Sequence, residues 1–155
     1  MQNNLGLYIP LVYTLAAIPY AWLGLYAWRK RPAAAVTPFA WAMLGMSVWA
    51  FMYGLEIFFP TLPAKLLIIK FEYIGIVIIP VFLFIFALEF TGRSNLLLPR
   101  VRFLLGIFPA IILLMVWTNE YHHLMWTAQG LIEGKGLSLL DAQYGVFFCL
   151  YVGFS

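Results

Sequence analysis

The chain has 155 residues, of which 65% are hydrophobic, 19% aromatic and 10% charged, and its formal net charge is +3. Soluble globular domains have roughly half apolar residues, so this composition excludes an ordinary soluble protein and indicates a membrane protein. The basic residues lie in short segments between long apolar runs, where they are typical of topology signals and do not indicate nucleic-acid binding.

Long apolar runs predict the fold class. A run of about twenty apolar residues can cross a hydrocarbon core of roughly 30 Å. The sequence contains four such runs and part of a fifth, and it therefore predicts an all-α transmembrane bundle. The first helix is predicted at residues 5–28, and the segment before it lacks the basic residues of a cleavable signal peptide. Ala17, Ala21 and Gly24 recur at positions i, i+4 and i+7, so one face of it carries small residues that favour close helix packing.

The second helix is predicted at residues 37–59. Trp49, Tyr53 and Glu56 recur at positions i, i+4 and i+7, so they share one face of this helix. This face carries an aromatic and acidic stripe, which makes these residues candidates for a site. The alternative for Glu56 is that its carboxylate reaches water at the end of the helix.

The third helix is predicted at residues 65–90. An intramembrane carboxylate such as that of Glu72 costs roughly 2.5–3.5 kcal/mol unless it pairs or lines a cavity. Lys70 lies on a different face, and Lys65 is two turns away, about 11 Å, so neither is predicted to pair with Glu72. We therefore expect Glu72 to face the interior of the bundle. Pro80 is predicted to kink this helix.

The fourth helix is predicted at residues 101–117, with a kink at Pro109. A glycine-rich stretch follows at 129–145, where E-G-K-G reads as the turn of a short hairpin. The fifth predicted helix, residues 142–155, is too short to span the membrane. The chain is therefore expected to be an incomplete membrane domain of a longer protein.

The most polar segment of the chain reads W-T-N-E-Y-H-H-L-M-W and follows the fourth helix. It includes Asn119, His122, His123 and Trp126. A wet loop at the membrane surface is the alternative to a site here. Adjacent histidines point apart on a helix or a strand, and no metal-ligand spacing surrounds them, so no metal site is predicted.

The distribution of basic residues predicts the orientation. The loops after the first and third helices carry Arg29, Lys30, Arg31, Arg93, Arg100 and Arg102, whereas the opposite side carries Lys65 and Lys135. The positive-inside bias predicts an external N-terminus and places the six residues in the cytoplasm. Glu89, at the cytoplasmic end of the third helix, is expected to meet solvent or Arg93.

This topology brings polar residues from separate segments to one depth on the outer side. We expect them to form a site for a ligand or signal. The candidate residues are Trp49, Tyr53, Glu56, Glu72, Tyr73, Asn119, His122, His123 and Trp126.

Three sequence segments resemble a known family: W-A-F-M-Y-G-L-E, K-F-E-Y-I-G-I-V-I-I-P followed by F-T-G-R, and T-N-E-Y-H-H-L-M-W. In order and spacing, they are similar to the N-terminal seven-helix membrane region of bacterial sensor histidine kinases, which also precedes diguanylate cyclase domains. Glu72 departs from the family pattern that the chain resembles, in which an uncharged polar residue such as Gln is usual at this position. The sequence shows no phosphoacceptor helix and no ATP-binding glycine box, so the chain itself is not expected to be an enzyme.

The resemblance implies an extracytoplasmic-side or intramembrane sensor module in the inner membrane, and no cofactor is predicted. Its signal would be a small molecule or a membrane protein, its output domain would lie in the cytoplasm in the same full-length chain, and the receptor would work as a homodimer. The full-length protein would be a histidine kinase or a diguanylate cyclase.

Two other function classes remain as alternatives. A transporter or half-transporter would bind its substrate near the bilayer midplane, whereas the charges here lie toward the outer side and no inverted repeat is evident. A membrane enzyme that used His122, His123 and a glutamate would need a nucleophile or metal arrangement that this spacing does not provide.

Overall fold

The computed structural model describes residues 5–31, 33, 35–134 and 137–148. Within this part of the chain, four helices are long and apolar enough to cross a membrane: α1 (Leu5–Arg29), α2 (Val36–Phe58), α3 (Leu62–Phe90) and α4 (Pro99–Trp117). A single turn, α5 (Asn119–His122), and two antiparallel strands, β1 (Trp126–Gly134) and β2 (Leu137–Tyr144), follow. The predicted multi-helix transmembrane bundle is confirmed.

The strands form a hairpin in the segment where the sequence predicted one. Trp126 pairs with Tyr144 and Gly134 with Leu137, with a bulge next to Trp126. The two residues between the strands lie outside the described residues. The predicted fifth helix was placed too early, because residues 142–144 pair with β1 and helical structure begins at 146. The rest of that prediction, residues 149–155, also lies outside the described residues.

Small residues let α1 pack closely on α2. Ala17 and Gly24 are buried in this contact. A Cβ on Gly24 would lie 2.9 Å from Cγ of Leu44, so a larger residue would clash with the Leu44 side chain. The hydroxyl of Ser47 donates a hydrogen bond of 2.9 Å to the carbonyl oxygen of Ala17 and joins the two helices.

An even closer approach joins α2 to α3. A Cβ on Gly75 would lie 2.6 Å from the carbonyl oxygen of Gly45 and 2.7 Å from the backbone nitrogen of Trp49. Only glycine fits this crossing, because real Cβ atoms do not make such short contacts. The crossing holds Trp49 directly against α3, one turn from Glu72.

The distribution of polarity is that of a protein surrounded by lipid. Lys65, Glu72 and Asn119 are buried, whereas large apolar side chains of α4, such as Phe103 and Leu104, are more than 60% exposed. In a bilayer, apolar side chains can face the lipid while polar groups must find partners inside the protein. The chain is therefore a multi-pass membrane protein.

The bundle has two chemically different ends. The basic end holds the loops after α1 and α3, and the hairpin end holds the α2–α3 loop, α5 and the strands. All six residues predicted as topology signals lie exposed at the basic end. Glu89 was expected to meet solvent or Arg93, but its Oε2 accepts a hydrogen bond of 3.1 Å from the backbone N–H of Ala35 and joins the two basic-end segments.

Candidate functional site

A cavity of about 580 Å³ lies at the hairpin end, between α1, α2, α3 and the hairpin. Its volume falls within the range of small-molecule sites, roughly 300–1,000 Å³. The lining residues are Tyr13 from α1, Trp49, Tyr53 and Glu56 from α2, Ile69, Glu72, Tyr73 and Ile76 from α3, Trp126, Leu140, Ala142 and Tyr144 from the hairpin, and Phe148. We call this the hairpin-end cavity.

Glu72 is the most conspicuous polar residue of the cavity, because it is only 8% exposed. Its Oε1 accepts a hydrogen bond of 2.9 Å from Nε1 of Trp49. Among the described residues, no donor reaches Oε2, and no lysine, arginine or histidine nitrogen lies within 4 Å of the carboxylate. Glu72 faces the interior of the bundle, as the sequence suggested, but it lines a cavity without an ionic partner.

Glu56, by contrast, has a buried ionic partner. Nζ of Lys65 lies 3.2 Å from Oε1 of Glu56 and also donates a hydrogen bond to the backbone carbonyl of Glu56. Lys65 is fully buried and Glu56 is 6% exposed, so the alternative in which Glu56 reaches water is wrong. The short α2–α3 loop explains the pair, because it brings the last turn of α2 opposite the first turn of α3.

Seven of the thirteen residues that line the cavity are aromatic. The rings of Tyr13 and Tyr53 meet edge to face with centroids 4.7 Å apart, which joins α1 to α2. The rings of Tyr73 and Trp126 lie 6.1 Å apart and join α3 to the hairpin. The cavity wall is therefore a set of contacts between elements that are distant in sequence.

Asn119 supports the cavity without lining it. Its Oδ1 accepts hydrogen bonds from the backbone N–H groups of Met125, at 2.9 Å, and Trp126, at 3.3 Å. Its Nδ2 donates to the carbonyl oxygen of Trp126, at 3.1 Å. Because Asn119 is 2% exposed, these bonds are shielded from water. Asn119 thus holds the start of β1 in the position that directs Trp126 into the cavity wall.

The two histidines do not line the cavity. Nδ1 of His122 accepts a hydrogen bond of 3.0 Å from the backbone N–H of Leu124, so the ring proton lies on Nε2, which contacts Oγ1 of Thr118 at 3.1 Å. His123 is exposed and ends α5 with a positive φ of 52°. His122 therefore stabilises the turn before β1, and His123 faces solvent.

An exposed ion pair also joins α3 to α5. Nζ of Lys70 lies 2.7 Å from Oε1 of Glu120, and the Glu120 side chain is 66% exposed. Exposed pairs contribute at most about 1 kcal/mol. Lys70 therefore has a partner from another segment, which spacing within α3 could not reveal.

The two prolines predicted as kinks lie inside continuous helices, Pro80 in α3 and Pro109 in α4. Pro80 has no N–H to donate to the carbonyl oxygen of Ile76, one turn before it. Ile76 lines the cavity, so this carbonyl belongs to the helix turn beside the site.

The structure brings together Trp49, Tyr53, Glu56, Glu72, Tyr73 and Trp126 of the candidate residues and leaves Asn119, His122 and His123 outside the cavity. The cavity residues of β2 were missed by the sequence analysis. Leu140, Ala142 and Tyr144 alternate along β2 and so point to one face of the strand. That alternation is visible in the sequence.

The sequence model of a family described as the N-terminal 7TM region of histidine kinase matches residues 12–155. No curated protein and no solved structure gives a significant match. The family match does not favour the transporter alternative.

Proposed function

Because the chain belongs to the family of N-terminal 7TM regions of histidine kinases, we propose that it receives a signal at the hairpin-end cavity and converts it into a change of helix packing. The family match supports the assignment of the chain as a sensor module. The use of this cavity as the sensing site is the proposal. Because the family is described as an N-terminal region of histidine kinases, we assign the response to an output domain of the full-length receptor.

One observation supports this proposal above the others. The cavity is lined by three helices and by both strands of the hairpin, so any occupant contacts several elements at once. A ligand shifts an equilibrium between two packings only if it contacts them differently. A site between elements meets this condition better than a site on one helix.

The contacts around the cavity offer a route from ligand to helix packing. The Trp49–Glu72 hydrogen bond joins α2 to α3 on the cavity wall. On the other side, the N–H of Gly145 bonds to the carbonyl oxygen of Met125 at 2.8 Å, and that of Phe147 bonds to Leu124 at 3.1 Å. These bonds join the start of the next helical segment to the turn before β1. A ligand that moves the hairpin would therefore also move this segment.

The proposal includes an orientation. The exposed basic end would face the cytoplasm and the hairpin end the extracytoplasmic side, in accordance with the positive-inside rule. In a bacterial inner membrane, the cavity would then receive an external small molecule or a membrane protein partner. The output domain would be cytoplasmic, and the receptor would work as a homodimer.

The test compares two variants of the full-length receptor in cells. We expect Glu72→Gln to change the signalling output, measured as receptor phosphorylation or, with a cyclase output, as cyclic dinucleotide, without lowering the amount in the membrane. Glu120→Gln is the matched control, because it removes the same charge at the same end but outside the cavity. Equal, wild-type outputs from both variants would contradict the cavity as the sensing site.

A further inference from the structure

We propose that the hairpin-end cavity binds an organic ammonium group, with the cation at Oε2 of Glu72 and its apolar substituents against the aromatic wall. This inference rests on the proposed function for its biological role, but it concerns the chemistry of the cavity and can be tested by binding alone. The ammonium group could be carried by a small amine or by the headgroup of a lipid.

The charge balance of the cavity indicates a cation. Glu56 and Lys65 neutralise each other, so of the two carboxylates that line the cavity, Glu72 is the one with no cation within 4 Å among the described residues. A carboxylate that is buried without an ionic partner is costly, and a bound cation would relieve that cost. An anionic ligand would increase the cost of burying this carboxylate. One oxygen of Glu72 accepts the hydrogen bond of Trp49, and the other has no donor among the described residues, so it is available to a cation in the cavity.

The walls indicate an organic cation and not a metal ion. A divalent metal needs several oxygen, nitrogen or sulfur ligands, and the described residues contain no cluster of three or more His, Cys, Asp or Glu that could supply them. Aromatic rings attract cations through their negative faces and exclude water from apolar substituents. Trp49, Tyr53, Tyr73, Trp126 and Tyr144 all line the cavity.

The size of the site also fits a molecule with an apolar part. The cavity of about 580 Å³ is far larger than a metal ion needs. A second pocket, of about 220 Å³, lies between α1 and α2 and shares Tyr13, Trp49 and Tyr53 with it. The lining of this second pocket is almost entirely apolar. An alkyl or aryl substituent of the amine would extend from the carboxylate toward it.

The first arm of the experiment tests a small amine. The full-length protein is purified in an uncharged maltoside detergent, and binding of labelled choline is measured by equilibrium dialysis. The competitor 3,3-dimethylbutan-1-ol has the same shape without the charge. We expect choline to bind about ten-fold more tightly than this isostere, as a cation–π contact with a carboxylate nearby implies. This comparison uses only the wild-type protein, so it does not depend on the folding of a variant.

The second arm tests a lipid headgroup. The full-length protein is placed in nanodiscs of phosphatidylglycerol with or without phosphatidylethanolamine, and the lipids retained after extraction are measured by mass spectrometry. Retention of phosphatidylethanolamine over phosphatidylglycerol would identify a lipid as the source of the ammonium group.

Variants test whether the preference for the ammonium group in either arm depends on Glu72. We expect Glu72→Gln to remove the preference for the ammonium group, Glu72→Asp to retain it, and the exposed Glu120→Gln to leave it unchanged. The proposal is overturned if neither arm shows a preference for the ammonium group, or if Glu72→Gln retains it in full. If Glu72→Gln changes signalling but no preference for ammonium is found, the cavity remains the sensing site and only the ligand class is wrong.

Discussion

Nε1 of Trp49 lies 2.9 Å from Oε1 of Glu72, so a single hydrogen bond joins α2 to α3 on the wall of the hairpin-end cavity. It lies one turn from the closest crossing of the same two helices, where Gly75 contacts Gly45 and the backbone of Trp49. Glu72, which lines the cavity, and Gly75, which packs at the crossing, are therefore neighbours on α3. A change in the cavity should therefore alter the packing at the crossing, and a change at the crossing should alter the cavity.

Trp49→Phe removes the N–H and keeps an aromatic ring. We expect it to lower the free energy of unfolding by about 1 kcal/mol, because Glu72 loses the one donor that its carboxylate has among the described residues. The measurement is unfolding in mixed detergent micelles. Trp41→Phe is the matched control on the same helix, since the Trp41 ring packs on Phe82 and Trp28 but its indole N–H makes no hydrogen bond among the described residues. An equal effect of both substitutions would contradict a stabilising role for the hydrogen bond.

Lys65→Met tests the buried pair with Glu56. The substitution leaves a carboxylate buried without its cation, and we expect a loss of about 3–5 kcal/mol. The double variant Glu56→Gln with Lys65→Met should be more stable than Lys65→Met alone, because it removes the stranded charge. Lys70→Met, which breaks only the exposed pair with Glu120, should cost at most about 1 kcal/mol. Thermal unfolding of the purified variants measures this ranking, and a double variant no more stable than the single one would refute it.

Gly75→Ala tests the crossing of α2 and α3. The added methyl group would overlap the backbone of α2, and we expect a loss of about 1–3 kcal/mol, with a weaker Trp49–Glu72 contact. Gly106→Ala is the control, because a Cβ there meets nothing within 4 Å and alanine favours a helix by up to about 1 kcal/mol. We therefore expect Gly75→Ala to lower the melting temperature and Gly106→Ala to leave it unchanged or raise it. Similar melting temperatures would mean that the crossing tolerates a wider spacing.

Asn119→Ala tests the support of the hairpin. Two backbone N–H groups, of Met125 and Trp126, would lose their acceptor, at a cost of about 1–3 kcal/mol each if they stay buried. We expect faster hydrogen exchange at these two amides and a displaced Trp126. Asn119→Asp keeps the acceptor and should retain more protection. Tyr121→Ala is the control on the same turn, because Tyr121 is 87% exposed. Unchanged exchange in Asn119→Ala would show that the side chain is dispensable.

The sequence predicted the helices and the interior position of Glu72 for a clear physical reason. A long apolar run has few alternatives to a membrane helix, and a carboxylate in such a run must turn away from lipid. The spacing of Trp49, Tyr53 and Glu56 likewise placed them on one face before any contact was known. These features are local, so one sequence is sufficient to read them.

The partners of the charged residues were not predictable in the same way. Spacing within α3 relates Lys65 only to Glu72, whereas the partner of Lys65 in the structure, Glu56, lies across the α2–α3 loop. Asn119 and His122 were candidates for sensing because they are polar, but the structure shows that they hold backbone groups of the turn before β1. Which hydrogen bonds a polar side chain makes depends on the path of the chain after it, and residue type alone does not determine that path.

The orientation of the bundle can be tested by chemical labelling of intact cells. Lys30→Cys places a thiol at the basic end and Gly130→Cys places one in β1, where an added Cβ meets nothing within 4 Å. Both changes are made after Cys149, the one cysteine of the sequence, is replaced by Ser.

We expect an impermeant maleimide to label the thiol at 130 and to spare the thiol at 30, because the exposed basic end should face the cytoplasm. Permeabilised cells are the control, in which both thiols should react. The reverse pattern would place the cavity on the cytoplasmic side. An external ligand could then no longer reach Glu72 from the water outside the cell, and the receptor would have to take its signal from the cytoplasm or from the lipid.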